Sequence, residues 1–345
     1  MKEKRKPYRG IETGSAAPWF RPLRELLPLS TPLTVLIDPC NLCNFACRFC
    51  PTAYPELLRS HNRRGGLMDF ALFEKATQDL KSFPEKIRKV MLNKDGEPFL
   101  HKELERMIAH IKKADVADSV EVSTNGLLVH GERIHRLLDT GLDVIRFSVE
   151  HVTDEGYRHV TGNAVSYDAI RRNVEALWNE KERKGIRLHV HAKILDSGLK
   201  QEEIEKFERD FADIVDSYNV DGLIGWDGQA DMVTMGLEVR TGMDGVSPVA
   251  HDRKVCPEPF KFLAVNTDGS VSPCCVDWTY GANVGHIADA SLIDIWRGDR
   301  LRELRLLHLT ERKNERKVCR ACSFFKGQAS YTDIDDIVAR LLEAI

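Results

Sequence analysis

The chain has 345 residues, of which 42% are hydrophobic and 30% charged, and its 50 Lys+Arg against 53 Asp+Glu leave a net charge of −3. That composition excludes wholesale disorder, collagen and coiled coil, and the balanced charge gives no field to draw the whole protein onto nucleic acid or an anionic membrane. No run of apolar residues is long enough for a membrane span, and the basic start MKEKRKPYRG lacks the apolar stretch of an export signal, so a cytoplasmic protein is expected.

Short apolar stretches read as strands at 33–38, 89–93, 119–124, 143–149, 187–195 and 221–226. Helical spacing fills the gaps, at 68–83, 101–114, 132–138, 167–184 and 202–218. Strands alternating with helices predict βαβ units and a parallel sheet, either an open or partial barrel or a doubly wound sheet. Buried parallel strands usually read as unbroken apolar runs, and these do not. Leu188, Val190, Ala192 and Ile194 alternate with His189, His191 and Lys193. Ile145, Phe147 and Val149 alternate with Arg146, Ser148 and Glu150, and Val120 and Val122 with Glu121, Ser123 and Asn125. A period of two puts each set on one side of the sheet. The apolar side is expected against the helices, and the polar side around an interior wide enough for a polar ligand. That interior offers Arg146, Glu150, His189, His191, Lys193, Trp226 and Asp227 as substrate candidates, with no acid or base role assigned to any one of them. Such groups suit a hydroxylated or charged small molecule.

After Gly228 no element is clear until 261–266 and 270–273, which flank the hairpin turn Thr267-Asp268-Gly269. A helix is predicted over 291–308 and a last one over 333–345. The expected division is an N-terminal extension (1–32), a barrel (33–240) and a C-terminal extension (241–345).

Nine cysteines fall in two groups. Cys40, Cys43, Cys47 and Cys50 lie within eleven residues; Cys256, Cys274, Cys275, Cys319 and Cys322 lie in the last quarter. A disulfide framework belongs to small exported chains, so metal is expected. Cys43, Cys47 and Cys50, in a loop after the first strand, can hold three corners of a [4Fe–4S] cube and leave one iron open. Zinc, with Cys40 as a fourth ligand, is the alternative.

The C-x3-C-x2-C string, with Phe49 before its last cysteine, resembles the cluster motif of the radical S-adenosylmethionine (radical SAM) superfamily. The resemblance implies that Cys43, Cys47 and Cys50 hold the cluster, that SAM binds its open iron, and that Phe49 meets the adenine. Gly96-Glu97-Pro98 resembles the GGEP motif that receives the methionine amino group, although Asp95 replaces its first glycine. Ser123 and Asn125 resemble the segment that meets ribose and carboxylate, and Ser148 ends the next strand in a comparable place. The fold implied is α/β, a partial (β/α)6 TIM-like barrel. Cys256, Gly269 and Cys274, with Cys319 and Cys322 later, resemble a SPASM- or twitch-type extension, and 283–296 resembles its connector helix. The count implies one auxiliary [4Fe–4S] cluster on Cys256, Cys274, Cys319 and Cys322, or a structural zinc site. Cys40 is then a buried bystander. Cys275 is either a thiol beside a ligand or a hydrogen donor facing the cavity.

Family chemistry implies an enzyme that cleaves SAM to a 5′-deoxyadenosyl radical and takes a hydrogen atom from substrate, supplied with electrons by a donor such as flavodoxin or ferredoxin. A sugar or aminocyclitol is the favoured substrate, and net oxidation, of a dehydrogenase kind, the favoured outcome. Cys275, Glu150 and Lys193 are the candidates for chemistry on the substrate. A redox-neutral epimerase or decarboxylase, modification of a ribosomal peptide, and a non-catalytic zinc protein are the alternatives.

Overall fold

Alternation of strand and helix sets the architecture. The computed structural model describes residues 8–9, 21–60, 63, 65–223, 241–320 and 322–345. Among these residues ten strands form one sheet: β1 (Tyr8–Arg9), β2 (Thr34–Ile37), β3 (Ile87–Met91), β4 (Ala117–Thr124), β5 (Val144–Val149), β6 (His189–Leu195), β7 (Ser217–Asp221), β8 (Phe262–Val265), β9 (Ser270–Ser272) and β10 (Gly285–His286). Strands β2 to β7 pair in sequence order and all in parallel. At one edge β1 adds in parallel to β7; at the other β8 adds in parallel to β2 and carries the antiparallel β9 and β10. The result is a partial (β/α)6 barrel continued by a C-terminal hairpin.

The period of two lands as the sequence predicts. Val120, Val122, Ile145, Phe147, Val190, Ala192 and Ile194 are buried, in one core with apolar residues of α3 (Phe70–Leu80), α4 (Leu104–Ala114), α5 (Glu132–Leu138), α7 (Tyr167–Lys184) and α8 (Gln201–Phe211). The pairing register puts Glu121, Arg146, Ser148, His191, Lys193, Asn219 and Asp221 together on the opposite, inner face.

Several boundaries differ from the sequence reading. The sixth barrel strand is Ser217–Asp221 rather than 221–226, because α8 stops at Phe211 instead of running to 218. Ile214, Val215 and Tyr218 keep helical spacing beyond Phe211 and so disguise the strand. Helix α6 (Asp154–Thr161), capped by Thr153 and closed by Gly162 at φ +70°, is an addition. The predicted 291–308 helix is two, Leu292–Arg297 and Asp299–Leu309, parted by Gly298 in an extended conformation. The last helix is Val338–Ala344, shorter than 333–345. Leu23 and Leu27 pack with Val255, Phe260, Leu309, Ile334 and Leu341, so the N-terminal segment shares a core with the C-terminal one. Among the described residues no helix is long and apolar enough to cross a membrane.

Candidate functional site

The cysteine loop follows β2 and is pinned from several sides. The Ala46 and Arg48 N–H groups donate to Thr161 O and Val160 O at 2.9 Å each, and Asn163 Nδ2 donates to Asn44 O at 2.7 Å. Phe45 is buried and meets Tyr157 edge-on at 6.4 Å. Phe49 packs half-buried against the same core. Burial pushes the Cys43 thiol up to about 12 and Cys47 well above its ordinary value, with the charges of neighbouring thiols and of Glu150 adding to it. None of Cys43, Cys47 and Cys50 is in a disulfide, and three thiols on one loop are the donor chemistry of a cluster, giving up their protons when metal binds. Cys40, fully buried, donates its S–H to Leu42 O at 3.4 Å.

Gly96 lies hard against this loop: a Cβ there would stand 2.3 Å from Cys40 O and 2.4 Å from Leu42 O. The Glu97 N–H donates to Leu42 O at 2.8 Å. The Glu97 carboxylate behaves differently from the sequence expectation of a ready acceptor for an ammonium. Oε1 accepts from Phe99 N–H (3.0 Å) and the Thr124 hydroxyl (2.8 Å), and Oε2 from Asn125 N–H (2.8 Å). Three of its four lone-pair sites are thus taken, two of them tying the turn after β3 to the end of β4. Pro98 opens the buried turn that follows. Asn125 Nδ2 donates to Asn44 Oδ1 at 2.7 Å, linking β4 to the cysteine loop, and Ser123 N–H donates to Asn93 Oδ1 at 3.0 Å. Ser148 is half-buried on the inner face opposite Lys193.

A belt of ion pairs crosses the lumen. Arg146 donates from Nε (3.0 Å) and Nη2 (2.7 Å) to Glu121 Oε2, while Lys89 Nζ stands 3.3 Å from Oε1. Burial works against the Glu121 charge, but Lys89 and Arg146 hold its carboxyl below the usual range. His191 is fully buried, with Nδ1 at 2.8 Å from Ser217 Oγ and Nε2 at 2.7 Å from Asn219 Oδ1. Burial, then the Arg146 charge, pushes its pKa down to about 3, so it is a neutral, satisfied histidine. Lys193 Nζ donates to Asp221 Oδ2 at 2.9 Å and keeps 36% of its side-chain surface open. Glu150 follows β5 at the rim, 7% exposed, and burial raises its carboxyl to about 7 against the pull of Lys193. Lys193 lowers its pKa, and its own charge raises those of Cys43 and Cys47.

The structure thus brings Glu150, Lys193 and the cysteine loop together. His189 departs from this group: it opens β6 and is exposed, about 20 Å along the strand from the rim. Trp226 and Asp227 lie outside the described residues. Sequence alone does not mark Glu121, Asn219 and Asp221 as site residues, although the alternation of Glu121 with Val120 and Val122 is a signal for the first of them.

Cys256, Cys274, Cys319 and Cys322 line one apolar cavity of about 520 Å³, mouth included, walled by residues such as Val276, Leu304, Val318 and Phe324. Four cysteine side chains around one apolar hollow are the donor chemistry of an iron–sulfur cluster. Cys275 lies on other ground. Like Met91, it packs against the cluster of Leu36, Phe262 and Ala264, which pairing register puts on the inner face, and its S–H points to Glu258 Oε2 at 3.8 Å. A buried charged cluster joins the two cysteine regions. Asp95, the residue in place of glycine, pairs with Arg63 at 2.9 Å and Lys94 at 2.7 Å. Arg63 and Lys94 also donate to Trp278 O (2.8 Å) and Asp277 O (3.1 Å), in the loop after Cys274 and Cys275.

A parallel half-barrel with three thiols on one rim loop and four round a second cavity defines an α/β iron–sulfur protein. The chain belongs to the radical SAM superfamily: the family model matches residues 37–206, and that of the SPASM iron–sulfur cluster-binding domain matches 256–323. Its cofactors are accordingly SAM with a [4Fe–4S] cluster in the barrel, and auxiliary iron–sulfur binding in the SPASM domain. The chain is similar to the tungsten-containing aldehyde ferredoxin oxidoreductase cofactor-modifying protein of Pyrococcus furiosus, 24% identical over 337 residues, 85% of this chain and 88% of that one. It is 28% identical to the GTP 3′,8-cyclase of Aquifex aeolicus over 188 residues, 54% of this chain and about half (55%) of the cyclase. Among solved structures it shares its fold with BtrN in complex with AdoMet and 2-DOIA (TM-score 0.53, 17% identity, 89% of this chain and 97% of that one). It also shares it with Streptococcus suis SuiB bound to S-adenosylmethionine (TM-score 0.59, 14% identity, 92% and 79%).

Proposed function

We propose that the chain is a radical SAM oxidoreductase that takes a hydrogen atom from a small polar substrate in the barrel lumen and completes a net oxidation. In this reading residues 33–240 form the catalytic barrel and 241–345 the cluster-bearing extension. Cys43, Cys47 and Cys50 would hold the SAM-binding cluster, and Cys256, Cys274, Cys319 and Cys322 the auxiliary one. Bound together, cluster and SAM would supply the radical that takes the hydrogen atom, and the auxiliary cluster would supply an acceptor for the substrate's second electron. Phe49, Gly96, Ser123, Asn125 and Ser148 would form the wall against which SAM lies, with Glu97 holding that wall in shape. The observation that carries the reading is the inner face at the end of β5, where register sets Ser148 beside Lys193 and the buried Glu150 follows. Lys193 and Asp221 would orient substrate hydroxyl or amino groups by hydrogen bonds. Glu150, its pKa raised to about 7 by burial, would accept the hydroxyl proton as the carbon is oxidised. The similarity of fold to the structure with 2-DOIA supports a ligand of that size.

The test is anaerobic reconstitution followed by turnover with deuterated sugars and aminocyclitols. The expected outcome is about eight irons per chain, SAM cleavage, and deuterium in 5′-deoxyadenosine. Transfer from a peptide and from none of the polyols would sink the substrate class. Glu150→Gln should keep SAM cleavage and lower product formation by about 100-fold. A second reading is favoured by Cys275, which packs on inner-face residues: a redox-neutral epimerisation in which its S–H returns a hydrogen atom. Cys275→Ala would stop an epimerase and leave an oxidase working.

A further inference from the structure

The cavity of four thiols does not end at its own walls. It shares Lys313, Cys322 and Phe325 with a surface groove of about 770 Å³, mouth included. Arg253, Lys254, Arg320 and Lys326 also line this groove, and Glu311 is the one carboxylate among its described lining residues. The sequence says the same: from Glu311 to Lys326 six lysines and arginines stand against two glutamates, in a chain whose net charge is −3.

Arg253 is buried and faces Asp333 at 3.6 Å, so the charge the groove can offer a partner is that of Lys254, Lys313, Arg320 and Lys326. Arg253 donates to the carbonyls of Phe325 (2.7 Å) and Gln328 (3.2 Å). Lys313 donates to Cys319 O (3.0 Å) with its ammonium 4.9 Å from the centre of the Phe325 ring. Arg320 donates to Asn314 O (3.1 Å). Lys254 does meet Glu311 at 3.2 Å, but both side chains are 61% exposed, where an ion pair is worth little. The groove is thus a positive funnel ending on the auxiliary thiols.

We propose that this groove docks an acidic one-electron carrier protein and that electrons pass there between the carrier and the auxiliary site. The proposal rests on reading the four thiols as cluster ligands. One electron crosses in each encounter: the auxiliary site is oxidised, the carrier is reduced, and no bond or proton moves. A single-stranded nucleic acid would ask for exposed aromatic faces beside the cations, whereas Phe324 and Phe325 are buried. A carrier needs only complementary charge and a short path to the cluster. Opposite charges on two surfaces raise the encounter rate by about 10- to 1,000-fold, and salt removes the gain once the Debye length falls below about 10 Å.

The experiment uses the reconstituted, pre-reduced holoenzyme with an oxidised flavodoxin of acidic face as probe. The expected second-order rate of electron transfer falls about tenfold or more between about 20 mM and about 500 mM salt. Calorimetric binding weakens in parallel. Lys254→Glu with Lys326→Glu reproduces the loss at low salt, while oxidation by a small neutral quinone and the iron content stay unchanged. A rate indifferent to salt at full iron content overturns the docking alone. About four irons in the wild-type holoenzyme overturns the auxiliary-cluster reading, and the proposal with it. Duplex DNA binding as tightly as the flavodoxin also overturns it, as a site for any polyanion. Should the double variant lose iron, the salt dependence of the wild type still decides.

Discussion

At the scale of single residues, the rim is governed by close approaches that allow few side chains. Gly96 sits where the turn after β3 presses on the cysteine loop, and its missing Cβ is what lets the Glu97 N–H reach Leu42 O. Gly96→Ala would bring a methyl group to 2.3 Å and 2.4 Å from two carbonyl oxygens, well inside contact distance. The loop must move away, and Cys43, Cys47 and Cys50 with it. The expected outcome is about half the iron of the wild type, lost from the barrel site, with the far-ultraviolet circular dichroism spectrum unchanged. A full iron content would mean that the loop yields without cost. Asp95, beside it, is legible in the sequence only as a departure from a motif. Its reason lies 32 positions earlier in Arg63 and next door in Lys94, both buried cations that need a carboxylate.

At the scale of elements, what the sequence discloses follows from how local each signal is. The bounds of α5 and α7 are legible because capping glycines mark them: Gly131 precedes α5, and Gly185 closes α7 at φ +65°. The polar inner face is legible because alternation is a property of each strand alone. The partners on that face are not, because they depend on register between strands. Arg146 finds Glu121 from the neighbouring strand, and His191 finds Ser217 and Asn219 on β7, the strand that helical spacing disguised. A histidine that reads as a substrate candidate is therefore a satisfied one, and the partly exposed side chain is that of Lys193, paired with Asp221. The same belt gives a stability test. Glu121 is 3% exposed and serves both Lys89 and Arg146, so Glu121→Gln strands two cations. Removing one partner of a buried ion pair costs about 3–5 kcal/mol. In a domain of this size that is a fall of about 6 °C or more in the melting midpoint, measured by anaerobic calorimetry. An unchanged midpoint would mean that water already serves these groups.

At the scale of the whole molecule, barrel and extension are joined by more than chain connectivity. Strand β2 pairs with β3 on one side and β8 on the other, and across that seam lie Asp38, Arg63, Lys94 and Asp95. Asp38 is fully buried, accepts from the Thr267 hydroxyl at 3.1 Å, and has its carboxyl raised to about 7 by burial and then by the charge of Asp95, against the pull of Lys94 and Arg63. An acid raised in this way keeps its proton in the folded chain where the unfolded chain has lost it. Its contribution to stability is whole below the ordinary value of 3.8 and drains away as pH rises to about 7. The slope is at most about 1.4 kcal/mol per pH unit. Glu150 adds a slope of the same sign, and His191, lowered to about 3, the opposite one below its ordinary 6.5. Asp95→Asn isolates the Asp38 share. It removes the negative neighbour and leaves Lys94 and Arg63 in need of a counter-charge, so Asp38 ionises in the folded chain and supplies it. The variant should be less stable than the wild type by about 3 kcal/mol near pH 5. The gap should narrow towards about pH 8, because only the wild type loses the Asp38 term as pH rises. Urea melts of both proteins across that range measure it. A gap of constant size would mean that Asp38 does not answer to Asp95, and that the seam is held by Arg63 and Lys94 through their carbonyl contacts to Trp278 and Asp277 instead.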